Sequence, residues 1–294
     1  MLNALYNKRM SRANPGLMVF LIDCSASMSF PMVRDSTDPE TWTKFQAASM
    51  ILDNFLYQCT IKCASEDKYK DYLDFVILGY GDNTFSPISK ISTSEYPISV
   101  NKLDSSYESV EDFPEQELDE TNSPIKWINS DSVGGNTAML NAFTKVKKII
   151  EDWVKKHPDS YPPILLNISD GMANDLPRDD EDNEKLDPSP LFELCNEIKK
   201  IQTNDGNTVI GNIHLSNVPG GYAKFPVSID EVMDIEDPAA VTLFEMSSAV
   251  PAPWLEKAQG FGFDIRPGGK FYIYNSDFDS FLSFFKFGTD PTNG

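Results

Sequence analysis

Residues 17–22, Leu-Met-Val-Phe-Leu-Ile, run apolar without a break into Asp23. Such a run, with branched and aromatic side chains and no alternation, predicts a strand covered on both faces, as in a parallel sheet between helices. Comparable runs recur at 75–80, 164–169 and 208–215, with a shorter one at 271–274. Between them the period changes to three and four. Trp42, Phe45, Ser49, Leu52 and Leu56 form one set, Met139, Phe143, Val146, Ile150 and Trp153 a second, and Leu191, Leu194, Ile198 and Ile201 a third. Each set occupies one face of a helix. The first helix is expected to start near 37–40, where Asp38 precedes Pro39 and Thr37 and Glu40 have capping-box spacing, and to run to about Gln58. Helices are also expected over 247–259 and 277–287.

Strands alternating with helices imply an α/β fold: a doubly wound, mostly parallel central sheet with helices on both faces. The pattern degrades over 83–132 into short β-like pieces at 85–91, 98–103 and 125–128, which read as one antiparallel edge. Within it, 104–120 holds eight acidic residues and no basic one, the composition of a solvated excursion. The expected organisation is an N-terminal arm (1–14) carrying Lys8, Arg9 and Arg12, then a single domain (15–290) with an irregular acidic insertion at about 83–132.

Charge narrows the partners. A net charge of −20 repels nucleic acid and anionic membrane surfaces, so neither is expected to bind. With no apolar leader and no run of membrane-spanning length, a cytoplasmic location is the expectation. Cys24, Cys59, Cys63 and Cys195 lack metal-ligand spacing and read as reduced structural thiols. Only His157 and His214 are available, which excludes a histidine-rich metal site.

Three loops expected at strand carboxyl ends carry hard oxygen donors: Asp23-Cys24-Ser25-Ala26-Ser27, Gly134-Gly135-Asn136-Thr137, and Asp170-Gly171. Open α/β sheets place their ligands at that end. Carboxylates and hydroxyls without thiolate or imidazole suit Mg²⁺. Taken singly, each loop is ordinary turn or cap chemistry.

Together the three resemble the metal-ion-dependent adhesion site of the von Willebrand factor A family, an Asp-x-Ser-x-Ser motif with a distant Thr and a distant Asp-Gly. The resemblance implies that Asp23, Ser25, Ser27, Thr137 and Asp170 hold a divalent cation, Mg²⁺ or alternatively Mn²⁺ or Ca²⁺. It further implies a protein partner that offers an Asp or Glu carboxylate to the ion. Segments 11–16, 134–139, 168–171, 205–216 and 287–291 are similar to the bacterial tellurium-resistance-associated group. That likeness implies a stress or defence setting with a Ser/Thr phosphatase and a kinase. One departure stands out: the family usually has Gly between the two motif serines, and this chain has Ala26.

A non-enzymatic interaction module is the expectation. One alternative is a haloacid-dehalogenase-like metal-dependent phosphatase with Asp23 as nucleophile, but its acid/base Asp would stand where this chain has Ser25. Another is a scaffold whose metal site is vestigial because of Ala26. No Gly-x-Ser-x-Gly elbow supports a serine hydrolase.

Overall fold

The computed structural model describes residues 5–32, 42–65, 69–111, 123–129, 133–178, 185–216, 222–275 and 283. The strands in chain order are β1 (Gly16–Asp23), β2 (Leu73–Tyr80), β3 (Thr84–Phe85), β4 (Ile98–Ser99), β5 (Ser109–Val110), β6 (Ile125–Lys126), β7 (Ile164–Ser169), β8 (Gln202–Thr203), β9 (Gly206–Asn207), β10 (Val209–His214), β11 (Ala223–Lys224) and β12 (Tyr272–Tyr274). The helices are α1 (Lys44–Cys63), α2 (Val100–Asp104), α3 (Met139–Lys156), α4 (Ser189–Ile198), α5 (Asp230–Met233), α6 (Pro238–Met246) and α7 (Ala252–Gly260).

Every residue of β1, β7 and β10 is buried, as expected of strands covered on both faces, including the polar Asn167 and Asn212. The strands pair in parallel in the order β12-β10-β7-β1-β2. Numbered by sequence, the five parallel strands therefore lie in the order 2-1-3-4-5, and the direction of winding reverses between β1 and β7. A reversal of this kind opens a crevice at the strand carboxyl ends, where doubly wound sheets bind ligands. Asp23 ends β1 and Ser169 ends β7, so both motif loops leave from that crevice. Buried amides continue the packing across the sheet. Tyr80 donates to Asn167 Oδ1 (2.8 Å), and Asn167 donates to Asn212 Oδ1 (3.0 Å).

β3 and β4 both pair antiparallel with β2, giving the expected edge. A second antiparallel edge, β11 on β12, has no counterpart in the sequence reading. The expected strand over 98–103 is only two residues long, because Val100 and Leu103, both buried and three apart, continue as α2. The piece at 85–91 likewise reduces to Thr84–Phe85. The helix expected over 247–259 starts late, as α7, and α6 before it was not expected. α6 ends at Met246 and α7 begins at Ala252, since Pro251 and Pro253 cannot donate to a continuing helix. The capping segment expected at 37–40 lies outside the described residues. The observed cap is Thr43, which exchanges bonds with Gln46, and α1 runs on to Cys63. The segment 277–287 lies outside the described residues save 283. All four cysteines are buried and form no disulfide.

The irregular insertion is anchored from below by α1. Asp53, 2% exposed, accepts the backbone N–H groups of Trp127 (2.9 Å) and Ile128 (3.2 Å). The fully buried Trp127 ring donates in turn to Leu103 O (2.8 Å). Burial pushes the Asp53 carboxyl up to about 7, against the lowering effect of the two N–H groups and of Lys126. The described part of the N-terminal lead-in is also tied down. Asp205 accepts the N–H groups of Asn7 and Lys8, and Met10 is buried.

Candidate metal centre

The geometry starts from Asp23, which is fully buried at the end of β1. Its Oδ1 accepts the Ser25 N–H (2.8 Å), the local turn that aspartate side chains favour two residues on. Its Oδ2 accepts the Ser169 hydroxyl from the end of β7 (2.6 Å). Burial pushes this carboxyl up to about 6, although the bonds from Ser169 and Ser25 lower it and Asp170 raises it. Ser25 and Ser27 stand with their hydroxyl oxygens 3.1 Å apart, and Ser27 donates to Asp170 Oδ1 (2.8 Å). Four of the five expected residues are thus joined by short polar contacts from the β1 and β7 loops.

Thr137 joins through its backbone. Its N–H donates to Asn174 Oδ1 (2.8 Å), and Asn174 N–H returns a bond to Thr137 O (3.1 Å), which fastens it to the loop that also carries Asp170. On the other side Gly134 N–H bonds Cys24 O (2.8 Å) and Ala26 N–H bonds Gly135 O (3.1 Å). The Thr137 hydroxyl makes no hydrogen bond among the described residues. This crossing of loops explains the second glycine of the pair. Gly135 has φ 81°, and a Cβ there would lie 2.4 Å from Asp82 Oδ2. The other Asp82 oxygen, Oδ1, accepts from both the backbone and side-chain N–H groups of Asn136.

Ala26 does not strain the loop. It opens a short 3-10 turn (Ala26–Ser29), and the non-glycine residues with positive φ among the described residues are Tyr6, Phe225 and Asn275. The reason for a vestigial site is therefore absent. Ala26→Gly is expected to destabilise the chain by about 0.5–1 kcal/mol through unfolded-state entropy. Denaturant melts check this, and a stabilising glycine would refute the assigned geometry.

Sequence reasoning missed three residues here. Ser169 was visible only as the last position of an expected strand. Lys44, 4% exposed, places Nζ 2.6 Å from Asp170 Oδ2. No sequence signal marked it, because the helix was expected to start near 37–40, and only the observed start at Lys44 puts a cation in the first turn, where acids are favoured. Asp175 accepts the N–H groups of Leu140 (3.0 Å) and Asn141 (2.9 Å), capping α3 from outside the helix.

The donor set fits a hard divalent cation. Hydroxyls of Ser25, Ser27 and Thr137 and the carboxylates of Asp23 and Asp170 are oxygen ligands of the kind Mg²⁺ takes. Among the described residues no group of three or more His, Cys, Asp or Glu side chains converges, so hydroxyls make up most of the donor set. His214 pairs with Ser169 in the sheet register, is fully buried, and is held down to about 4 by burial despite Asp237. Its Nδ1 lies 3.0 Å from the Tyr272 hydroxyl and its Nε2 3.4 Å from Asp237 Oδ2.

No family model matches the chain, and no curated protein does. Among solved structures it is similar to the PilB minor pilin from Streptococcus sanguinis, with 8% identity and a TM-score of 0.44 over 95% of this chain and 60% of that one. It is also similar to the ArnB paralog VWA2 from Sulfolobus acidocaldarius (14% identity, TM-score 0.33, 68% of this chain and 35% of that one). A third similarity is to the pilus adhesin SpaC from Lactobacillus rhamnosus GG (13%, 0.36, 70% and 25%). The chain spans less than two thirds of each of these proteins. Strand order and register define the class: a doubly wound, mostly parallel α/β sheet with antiparallel edges. Among the described residues no helix is long and apolar enough to cross a membrane.

Proposed function

We propose that this chain is a non-enzymatic, metal-dependent protein-interaction module of the von Willebrand factor A kind. The observation that carries the proposal is the run of contacts from Ser25 through Ser27 to Asp170 at the point where the winding reverses. Asp23, Ser25, Ser27, Thr137 and Asp170 would hold Mg²⁺, with Mn²⁺ or Ca²⁺ as substitutes. When bound, such an ion supplies an electrophilic position for an Asp or Glu carboxylate from a partner protein. The chain's own residues orient that position. The 3-10 turn presents the serines, the Asn174 clasp sets Thr137, and Ser169 fixes Asp23. Ser25 stands where a phosphatase of the alternative kind needs a proton-transferring carboxylate, which supports binding over phosphatase chemistry.

The likeness of several segments to the tellurium-resistance-associated group supports a place in a bacterial stress or defence system, with a Ser/Thr phosphatase or kinase as candidate partners. A chain of net charge −20 repels an acidic partner, so the partner must surround its acidic anchor with basic residues. Partners captured in Mg²⁺ are expected to be lost in chelator, to weaken with added salt, and to be lost in Thr137→Ala, which keeps its fold. A tight partner retained in chelator and indifferent to Thr137→Ala would sink the metal-bridge mechanism.

A further inference from the structure

We propose that Lys44 is a built-in cation of this site, one that weakens its hold on a metal ion while making the loaded site demand an anionic ligand. The inference rests on the metal-binding reading above. Lys44 is the first residue of α1, where the helix dipole opposes positive charge, and the first turn of α1 contains no acid to offset it. Nor is the ammonium in solvent. Its side chain is 5% exposed and that of Asp170 1%, with Nζ and Oδ2 2.6 Å apart. Lysine is rarely buried so far unless paired. The helix disfavours this cation, and the paired carboxylate is what holds it.

Asp170 divides its two oxygens between the site's own groups. Oδ1 accepts from Ser27 and Oδ2 from Lys44. Counting formal charges, Asp23 and Asp170 contribute two negative and Lys44 one positive, which leaves one negative. A divalent ion would turn that into one net positive charge, whereas the same loaded site without Lys44 would be neutral. Two opposite effects follow: the ammonium repels the incoming ion, and it leaves the loaded site unsatisfied until a carboxylate arrives.

The test is titration calorimetry of Mn²⁺ on the full chain, with and without acetate as the probe carboxylate, for wild type, Lys44→Met and Lys44→Gln. Circular dichroism establishes folding, and Lys44→Gln, which keeps an amide donor for Asp170, serves where Lys44→Met does not fold. The neutral variants are expected to bind Mn²⁺ at least tenfold more tightly than wild type. The gain in Mn²⁺ affinity that acetate produces in wild type should fall at least threefold in them. A lysine of purely structural value would give the reverse, weaker Mn²⁺ binding on its removal. Folded neutral variants that bind Mn²⁺ no better than a binding-competent wild type, or that keep the full acetate gain, overturn the role of Lys44 and leave the metal reading standing. Absence of Mn²⁺ binding in all three overturns both.

Discussion

Mg²⁺ or Mn²⁺ is expected to raise the thermal midpoint of the wild-type chain and to leave that of Asp23→Ala where chelator puts it. A ligand that binds only the folded state stabilises it by mass action, about 2.7 kcal/mol at a hundredfold excess over its dissociation constant. For a domain of this size that is a shift of roughly 5 °C. The comparison is made within each variant, with and without chelator. Asp23→Ala also strands the Ser169 hydroxyl and the Ser25 N–H, which lowers its midpoint before any metal is considered. Equal wild-type midpoints in saturating metal and in chelator would remove the metal hypothesis, whatever the fold.

Asp53 yields the second large effect, at the base of the insertion. Asp53→Ala removes the acceptor for two buried N–H groups and is expected to cost about 2–4 kcal/mol. Asp53→Asn keeps an oxygen acceptor and removes the charge, so its behaviour with pH separates the two roles. Because burial raises the carboxyl to about 7, the folded state holds the proton more tightly than the unfolded chain does. The stability Asp53 contributes is therefore full below the ordinary carboxylate range near pH 4, declines as pH rises toward 7, and stays low above it. Asparagine has no such loss. Relative to wild type, Asp53→Asn should gain roughly 2–4 kcal/mol between pH 4 and pH 8, read from denaturant melts. A constant difference across that range would show that Asp53 is an ordinary charged cap for the Trp127 and Ile128 amides.

The sequence by itself determined the layered α/β class, the central strands and the composition of the candidate site. The unbroken run before Asp23 could only be a strand buried on both faces, and burial of every β1 residue agrees. From there the end of the strand, and hence the loop of Asp23, Ser25 and Ser27, followed without any long-range information. The same holds for Asp170 behind the 164–169 run and for the apolar face of α3. Hydrophobic period reports which face of an element is buried, and that sufficed for these features.

What the period does not report is which distant group meets a buried polar atom. Lys44 and Asp170 are 126 residues apart, and Ser169 and Asp23 are 146 apart. Only the folded sheet, with β7 beside β1, brings each pair within hydrogen-bond reach. For the same reason Asp175 reads locally as a loop acid but caps α3 in space, and Asp53 reads as a helix residue but holds the base of an insertion. Short elements such as β11 and α2 were hidden as well, because two to five residues carry too little periodicity to outweigh the contacts that select their conformation. Local pattern chose the elements and their exposed ends; the charge and hydrogen-bond partners that give the site its chemistry were decided by tertiary packing, since a buried polar atom must find its partner in space rather than in sequence.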